Sequence, residues 1–195
     1  MKVSRETWLT HDMVKKPEIA LVGAGLGGMT AAVALQQRGF DVTVYEQAAE
    51  LGDIGAGITV GPNATRVLAA LGLEAAMQSL ASATEHVGTL HHRTGERLAY
   101  VKRGANEYLQ RYGAVVRHVH RADLHRVLVE ALTDRASLRL DHQLTAVRQD
   151  EDGVTLSFAN GSEAAADVVV GCDGIKSLVR DALFKTEQPE FTGFV

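Results

Sequence analysis

Glu18-Ile19-Ala20-Leu21-Val22-Gly23-Ala24-Gly25-Leu26-Gly27-Gly28 is the stretch on which the fold turns. A short apolar run that stops at glycines reads as a buried parallel strand. The helix formers of Met29 to Arg38 follow, and Gly39 ends them. Asp41-Val42-Thr43-Val44-Tyr45-Glu46 then reads as a second strand. Strand, glycine turn, helix, strand is a βαβ unit with a right-handed crossover. Gly23-Ala24-Gly25-Leu26-Gly27-Gly28 is a GxGxxG loop in the place where that motif works. Gly23 permits the tight turn, Gly25 lets a pyrophosphate approach the backbone, and Gly28 lets helix and strand pack closely. The helix N-terminus offers unpaired N–H donors and the positive end of its dipole to phosphate.

Glu46 lies eighteen positions after Gly28, at the end of the second strand. A carboxylate there accepts hydrogen bonds from ribose hydroxyls and repels a 2′-phosphate. The pair therefore points to an adenosine belonging to FAD or NAD rather than NADP, without separating the first two.

Composition narrows the field. Of 195 residues, 46% are hydrophobic and 23% charged, which is globular usage. The formal net charge of −4 lacks the basic patch that nucleic acid requires. A single cysteine, Cys172, rules out an internal disulfide scaffold. No apolar run reaches the length of a membrane span. These features lead us to expect a cytoplasmic protein with neither nucleic acid nor membrane as partner. Residues 1–17 read as a mobile leader.

Further along, Pro62 to Leu71 reads as a second helix, with Gly72 past its end. Val87–His91, Arg97–Val101 and Ala114–His118 read as short strands of an antiparallel excursion over about 86–119. Arg121 to Leu132 is an amphipathic helix, with Leu124, Val127, Leu128, Ala131 and Leu132 on one stripe. Strands follow at Ser137–Leu140, Leu144–Arg148, Val154–Ala159 and Ala166–Gly171, with turns at Asp152-Gly153 and Asn160-Gly161. A short helix near Ser177–Leu183 closes the series. His118 and His120 share a strand face, but too few ligands converge for zinc, so no metal is expected. No GxSxG elbow, GxxxxGK[ST] loop or Tyr-x-x-x-Lys pair occurs.

Four stretches together carry a family likeness: ALVGAGLGGMTAAVALQQRGFDVTVYEQ, LGDIGAGITVGPNATRVLAALGL, HRADLHRVLVEAL and DVVVGCDGIKSLVR. In this order they resemble the amino-terminal half of the single-component, FAD-dependent aromatic hydroxylases. That group includes salicylate and 6-hydroxynicotinate monooxygenases, and the likeness covers nearly all of residues 18–195. It implies an α/β, Rossmann-like FAD-binding domain over 18–185, with a parallel sheet and antiparallel β segments. Residues 186–195 would begin a truncated substrate domain.

The resemblance also implies roles. Gly23, Gly25, Gly27 and Gly28 would meet the FAD pyrophosphate, Leu26 would also be cofactor-binding, and Glu46 and Gln47 would meet the adenosine ribose edge. Arg121 would reach the flavin phosphate or ribityl region, and Leu144 would lie against the adenine. Asp173 would help hold the phosphate side and receive the reduced nicotinamide. Gly57 and Ile58 would pass beside the flavin ring, with Thr59 facing the substrate pocket. Structural alternatives stand beside these: a surface ion pair for Arg121, a turn for Asp173, strand packing for Thr59. Thr59 occupies a position where at least one relative has histidine, so no catalytic base carries over. Cys172 replaces the usual alanine and is read as buried and inert.

The implied reaction uses NAD(P)H to reduce the flavin and O₂ to hydroxylate a phenolic or N-heteroaromatic acid. The family implies about twice this length, and its Gly-Asp-Ala-x-His-Pro loop does not occur here. The expectation for the 195-residue product alone is weak FAD binding and inefficient hydroxylation. A non-catalytic FAD- or NAD-binding fragment is the alternative, and a small NAD-dependent dehydrogenase is a more distant one. Aromatic substrate, nicotinamide preference and oligomeric state stay open at this point.

Overall fold

A computed structural model describes residues 16–52, 56–82, 86–102, 105–184 and 190–193. In chain order the elements are β1 (Glu18–Val22), α1 (Leu26–Gln36), β2 (Asp41–Tyr45), β3 (Gly57–Val60), α2 (Pro62–Ala70) and α3 (Glu74–Leu80). Then come β4 (His86–Leu90), β5 (Arg97–Lys102), α4 (Ala105–Tyr112), β6 (Arg117–His120) and α5 (Arg121–Glu130). The last group is β7 (Leu138–Arg139), β8 (Leu144–Asp150), β9 (Gly153–Phe158), β10 (Glu163–Ala166), β11 (Val168–Gly171) and α6 (Leu178–Phe184).

The βαβ unit forms as its sequence dictates. β1 pairs in parallel with β2, Ile19 opposite Val42 and Leu21 opposite Val44. β11 joins the other side of β1 and β7 the far side of β2, giving the order β11-β1-β2-β7. The continuous apolar run of β1 is explained by cover on both faces. Ile19 and Leu21 pack with Met29, Ala32 and Val33 of α1. Ala20 and Val22 pack with Leu144, Leu156, Phe158 and Val179 on the opposite face. Burying each such side chain stabilises by about 1.5–3 kcal/mol.

Gly39 stops α1 in the left-handed region, at φ +73°. Its N–H donates to the Gln36 carbonyl and that of Phe40 to Leu35, a Schellman closure. The Lys16 ammonium donates to the last carbonyls, of Arg38 and Gly39, at 3.0 Å each. Lys16 is thus docked on the domain, while residues 1–15 of the expected leader lie outside the described residues.

The opposite face is covered by an antiparallel meander, β8-β9-β10. Its hairpins turn at Asp152-Gly153 and Asn160-Gly161, as the sequence implies. Several elements depart from expectation. α3, α4 and β10 were not foreseen, and the expected strand at Ala166–Gly171 divides into β10 and β11 at Asp167. The strand expected at Ala114–His118 forms instead at Arg117–His120 and pairs antiparallel with β3, not with β4 or β5. Val115 is held differently: its carbonyl accepts the Thr65 hydroxyl at 3.0 Å. β11 is less covered than its valines suggest, with Val168 and Val170 41% and 37% exposed. Of the segment expected to open a substrate domain, only residues 190–193 are described. No helix among the described residues is long and apolar enough to cross a membrane.

Candidate functional site

The carboxyl ends of β1, β2 and β11 meet at one cleft of about 490 Å³. The order explains its place: β1 has neighbours on both sides, so the loops leaving them diverge and open a crevice. Gly23 and Gly25 line it from β1, Glu46 and Gln47 from β2, Cys172 and Asp173 from β11. Arg121, at the start of α5, and Leu144, at the start of β8, complete the set of expected residues found there.

The four glycines of the loop separate into two kinds. A Cβ on Gly23 would lie 2.4 Å from the Cys172 carbonyl oxygen, and Gly23 has φ +103°. A Cβ on Gly28 would lie 1.9 Å from the Gly23 oxygen. Both are glycine because the chain itself leaves no room, and Gly28 is buried beneath the loop. Gly25 and Gly27 are different: among the described residues an added Cβ meets nothing within 4 Å. Gly25 has φ −67°, open to any residue. Nothing among the described residues asks for glycine at these two positions. They leave open space at the N-terminus of α1. That terminus has no side-chain cap and no acidic residue in its first turn, so its N–H groups stay available to an anion.

The loop is held ready. Glu46 Oε2 accepts the Ala24 N–H at 2.7 Å and its Oε1 accepts the Ala48 N–H at 3.0 Å. His125 Nε2 donates to the Ala24 carbonyl at 2.6 Å. Each carboxylate oxygen of Glu46 has a second lone pair for a further donor. Asp173 caps α6: Oδ1 accepts the Ser177 hydroxyl at 2.6 Å, and Oδ2 accepts the Leu178 N–H at 2.8 Å. Cys172 is half-buried rather than buried. Burial, then the Asp173 carboxylate, pushes its thiol upward, so the unreactive thiol form is favoured. Burial likewise raises the Tyr45 phenol, with Arg139 opposing.

Other expected residues lie elsewhere. Leu26, Gly27, Ile58 and Thr59 line a second, more apolar hollow of about 500 Å³ between α1, β3, α2 and α5. Gly57 pairs with His120 in the β3–β6 ladder. The Thr59 hydroxyl meets His118 Nδ1 at 3.1 Å across that ladder. His142, Gln143 and Lys176 also line the first cleft, and sequence reasoning missed them. The backbone N–H of His142 donates to the Glu46 carbonyl at 2.8 Å, a long-range contact with no local signature. No cluster of metal-ligating side chains occurs among the described residues.

Comparison with known proteins bears on this geometry. The family model of the FAD binding domain matches residues 16–193. The chain belongs to the FAD-binding domain family. It is 41% identical over 183 residues to 6-hydroxynicotinate 3-monooxygenase of Pseudomonas fluorescens, covering 94% of this chain and 47% of that protein. It is 34% identical to 3-hydroxybenzoate 6-hydroxylase of Klebsiella oxytoca, covering 94% and 46%. Klebsiella pneumoniae HpxO, solved in complex with FAD and uric acid, superposes with TM-score 0.75 at 32% identity, covering 85% of this chain and 41% of that one. The chain therefore spans about half the length of the curated relatives it matches. The α/β fold with its parallel sheet and the family resemblance both agree with the sequence reading. The residues present are compatible with that cofactor: an uncapped helix N-terminus beside two open glycines, with the Glu46 carboxylate and Arg121 lining the cleft.

Proposed function

We propose that this chain is the FAD-binding half of a monooxygenase that hydroxylates a phenolic or N-heteroaromatic acid, using NAD(P)H and O₂. The observation that carries the reading is the pair of glycines, Gly25 and Gly27, that no packing among the described residues requires, set over the uncapped start of α1. FAD, when bound, supplies the redox and oxygen chemistry.

The chain's own residues bind and orient it. The first-turn N–H groups of α1 take the pyrophosphate between Gly25 and Gly27, and Glu46 takes the ribose hydroxyls, with Gln47 beside it. Leu144 packs the adenine. Arg121 serves the flavin phosphate or ribityl chain, and Asp173 holds the phosphate side and the approach of the nicotinamide. Gly57 and Ile58 border the flavin ring. Thr59, bonded to His118, offers a polar hold on the substrate side. No catalytic residue is assigned within this half.

Relatives named for 6-hydroxynicotinate and 3-hydroxybenzoate support a small aromatic acid as substrate. The reduced nicotinamide requirement and lone cysteine favour the cytoplasm. The test is oxygen incorporation by the FAD-loaded protein that carries this half, given NAD(P)H, labelled O₂ and hydroxylated aromatic acids. Label in the product is the expected result. Flavin bound and reduced, yet no label in any such acid, contradicts the reading and favours a non-catalytic flavin-binding role.

A further inference from the structure

We propose that His142 reads the base of the dinucleotide, accepting a hydrogen bond from the exocyclic amine of adenine through Nε2. The inference rests on the cofactor reading above and adds to it a residue that selects adenine over other purines.

His142 stands beside the ribose acid, its backbone N–H bonded to the Glu46 carbonyl at 2.8 Å. It shares the cleft with Glu46, Gln143 and Leu144. A base attached to a sugar held by Glu46 falls to this group of residues. The imidazole is fixed in place by three contacts. Nδ1 lies 2.6 Å from the Leu140 carbonyl. The ring stands edge-on to Phe158, with centroids 5.0 Å apart at 78°. It is tilted on Tyr45 at 5.5 Å, and Tyr45 itself stacks on Phe158 at 4.8 Å.

A carbonyl only accepts, so Nδ1 carries the proton of that bond. In the neutral ring Nε2 is then a lone-pair acceptor. A ring so held offers Nε2 as an acceptor to a ligand in the cleft that His142 lines together with the apolar Leu144. Adenine matches it, with an apolar face and an amine donor on its edge. Hypoxanthine carries an oxygen at the same point and would set acceptor against acceptor, which costs more than a missing bond.

The experiment titrates the 195-residue chain with ADP and with IDP at pH 8, followed by NMR. ADP is expected to bind about tenfold tighter than IDP. His142→Leu should remove that preference by weakening ADP alone. His142→Gln, whose amide turns to offer either group, should bind both nucleotides about equally while keeping most of the ADP affinity. Circular dichroism confirms that each variant folds, and the Gln variant decides if the Leu variant does not. Equal affinity of the parent chain for ADP and IDP overturns the proposal, as does a preference that survives in the Gln variant. Binding of neither nucleotide overturns the cofactor reading beneath it as well.

Discussion

The Glu46 carboxylate accepts the backbone N–H of Ala24 at 2.7 Å, tying the end of β2 to the loop that leaves β1. The acid proposed to grip the ribose thus also shapes the loop proposed to hold the pyrophosphate. Glu46→Ala should weaken FAD binding through both, with each charge-assisted bond worth about 1.5–3 kcal/mol. Glu46→Gln keeps an oxygen for Ala24 and should lose less. Flavin fluorescence titrations of the two variants check the order. Equal losses would show that the loop contact contributes nothing.

The loop glycines should separate by phenotype. Gly28→Ala and Gly23→Ala force contacts of 1.9 and 2.4 Å with backbone oxygens, and should lower stability by about 3 kcal/mol or more. Gly25→Ala should leave the thermal midpoint unchanged, since its Cβ meets nothing within 4 Å. Gly25→Val should fold normally and lose flavin. Retained flavin content in Gly25→Val would displace the pyrophosphate from this loop.

How much of this was legible in the sequence depends on the range of the interactions. β1, its glycine loop, α1 and β2 were readable because each is fixed by neighbours in sequence, and Gly39 ends the helix locally. β6 was shifted because its place is set by β3, with Gly57 paired to His120 across 63 residues of chain. The Ala-rich β10 resembles a helix former, and only its pairing with β9 makes it a strand. Within the candidate site, Gly25 and Glu46 carried recognisable spacing, and Arg121 came from the HRADLHRVLVEAL stretch on which the family resemblance rests. His142 did not, since its contact with Glu46 arises from how the chain returns after β7.

Arg121→Ala should lower flavin occupancy with the fold retained. The backbone N–H of Arg121, bonded to the Ala56 carbonyl, does not depend on the side chain. The ratio of flavin to protein absorbance after desalting measures it. An unchanged ratio with the same dissociation rate would remove Arg121 from the cofactor site.

Alkaline stability follows from two raised groups. Cys172 and Tyr45 are both shifted above their ordinary values of 9.0 and 10.0, chiefly by burial. Their protonated forms are favoured in the folded state. The stability this confers is complete below the unfolded values and is lost as pH rises through the folded ones. Thermal midpoints should therefore begin to fall above about pH 9. Cys172→Ala should fall less than the parent chain. A midpoint that rises in this range, or an identical fall in the variant, would contradict the assignment.

The most direct test is a titration of the 195-residue chain with FAD, read by flavin fluorescence, on protein shown by circular dichroism to be folded. Saturable binding at one site per chain, abolished by Gly25→Val without loss of fold, is the predicted result. A folded chain that leaves flavin fluorescence unchanged at every concentration would contradict the placement of the dinucleotide.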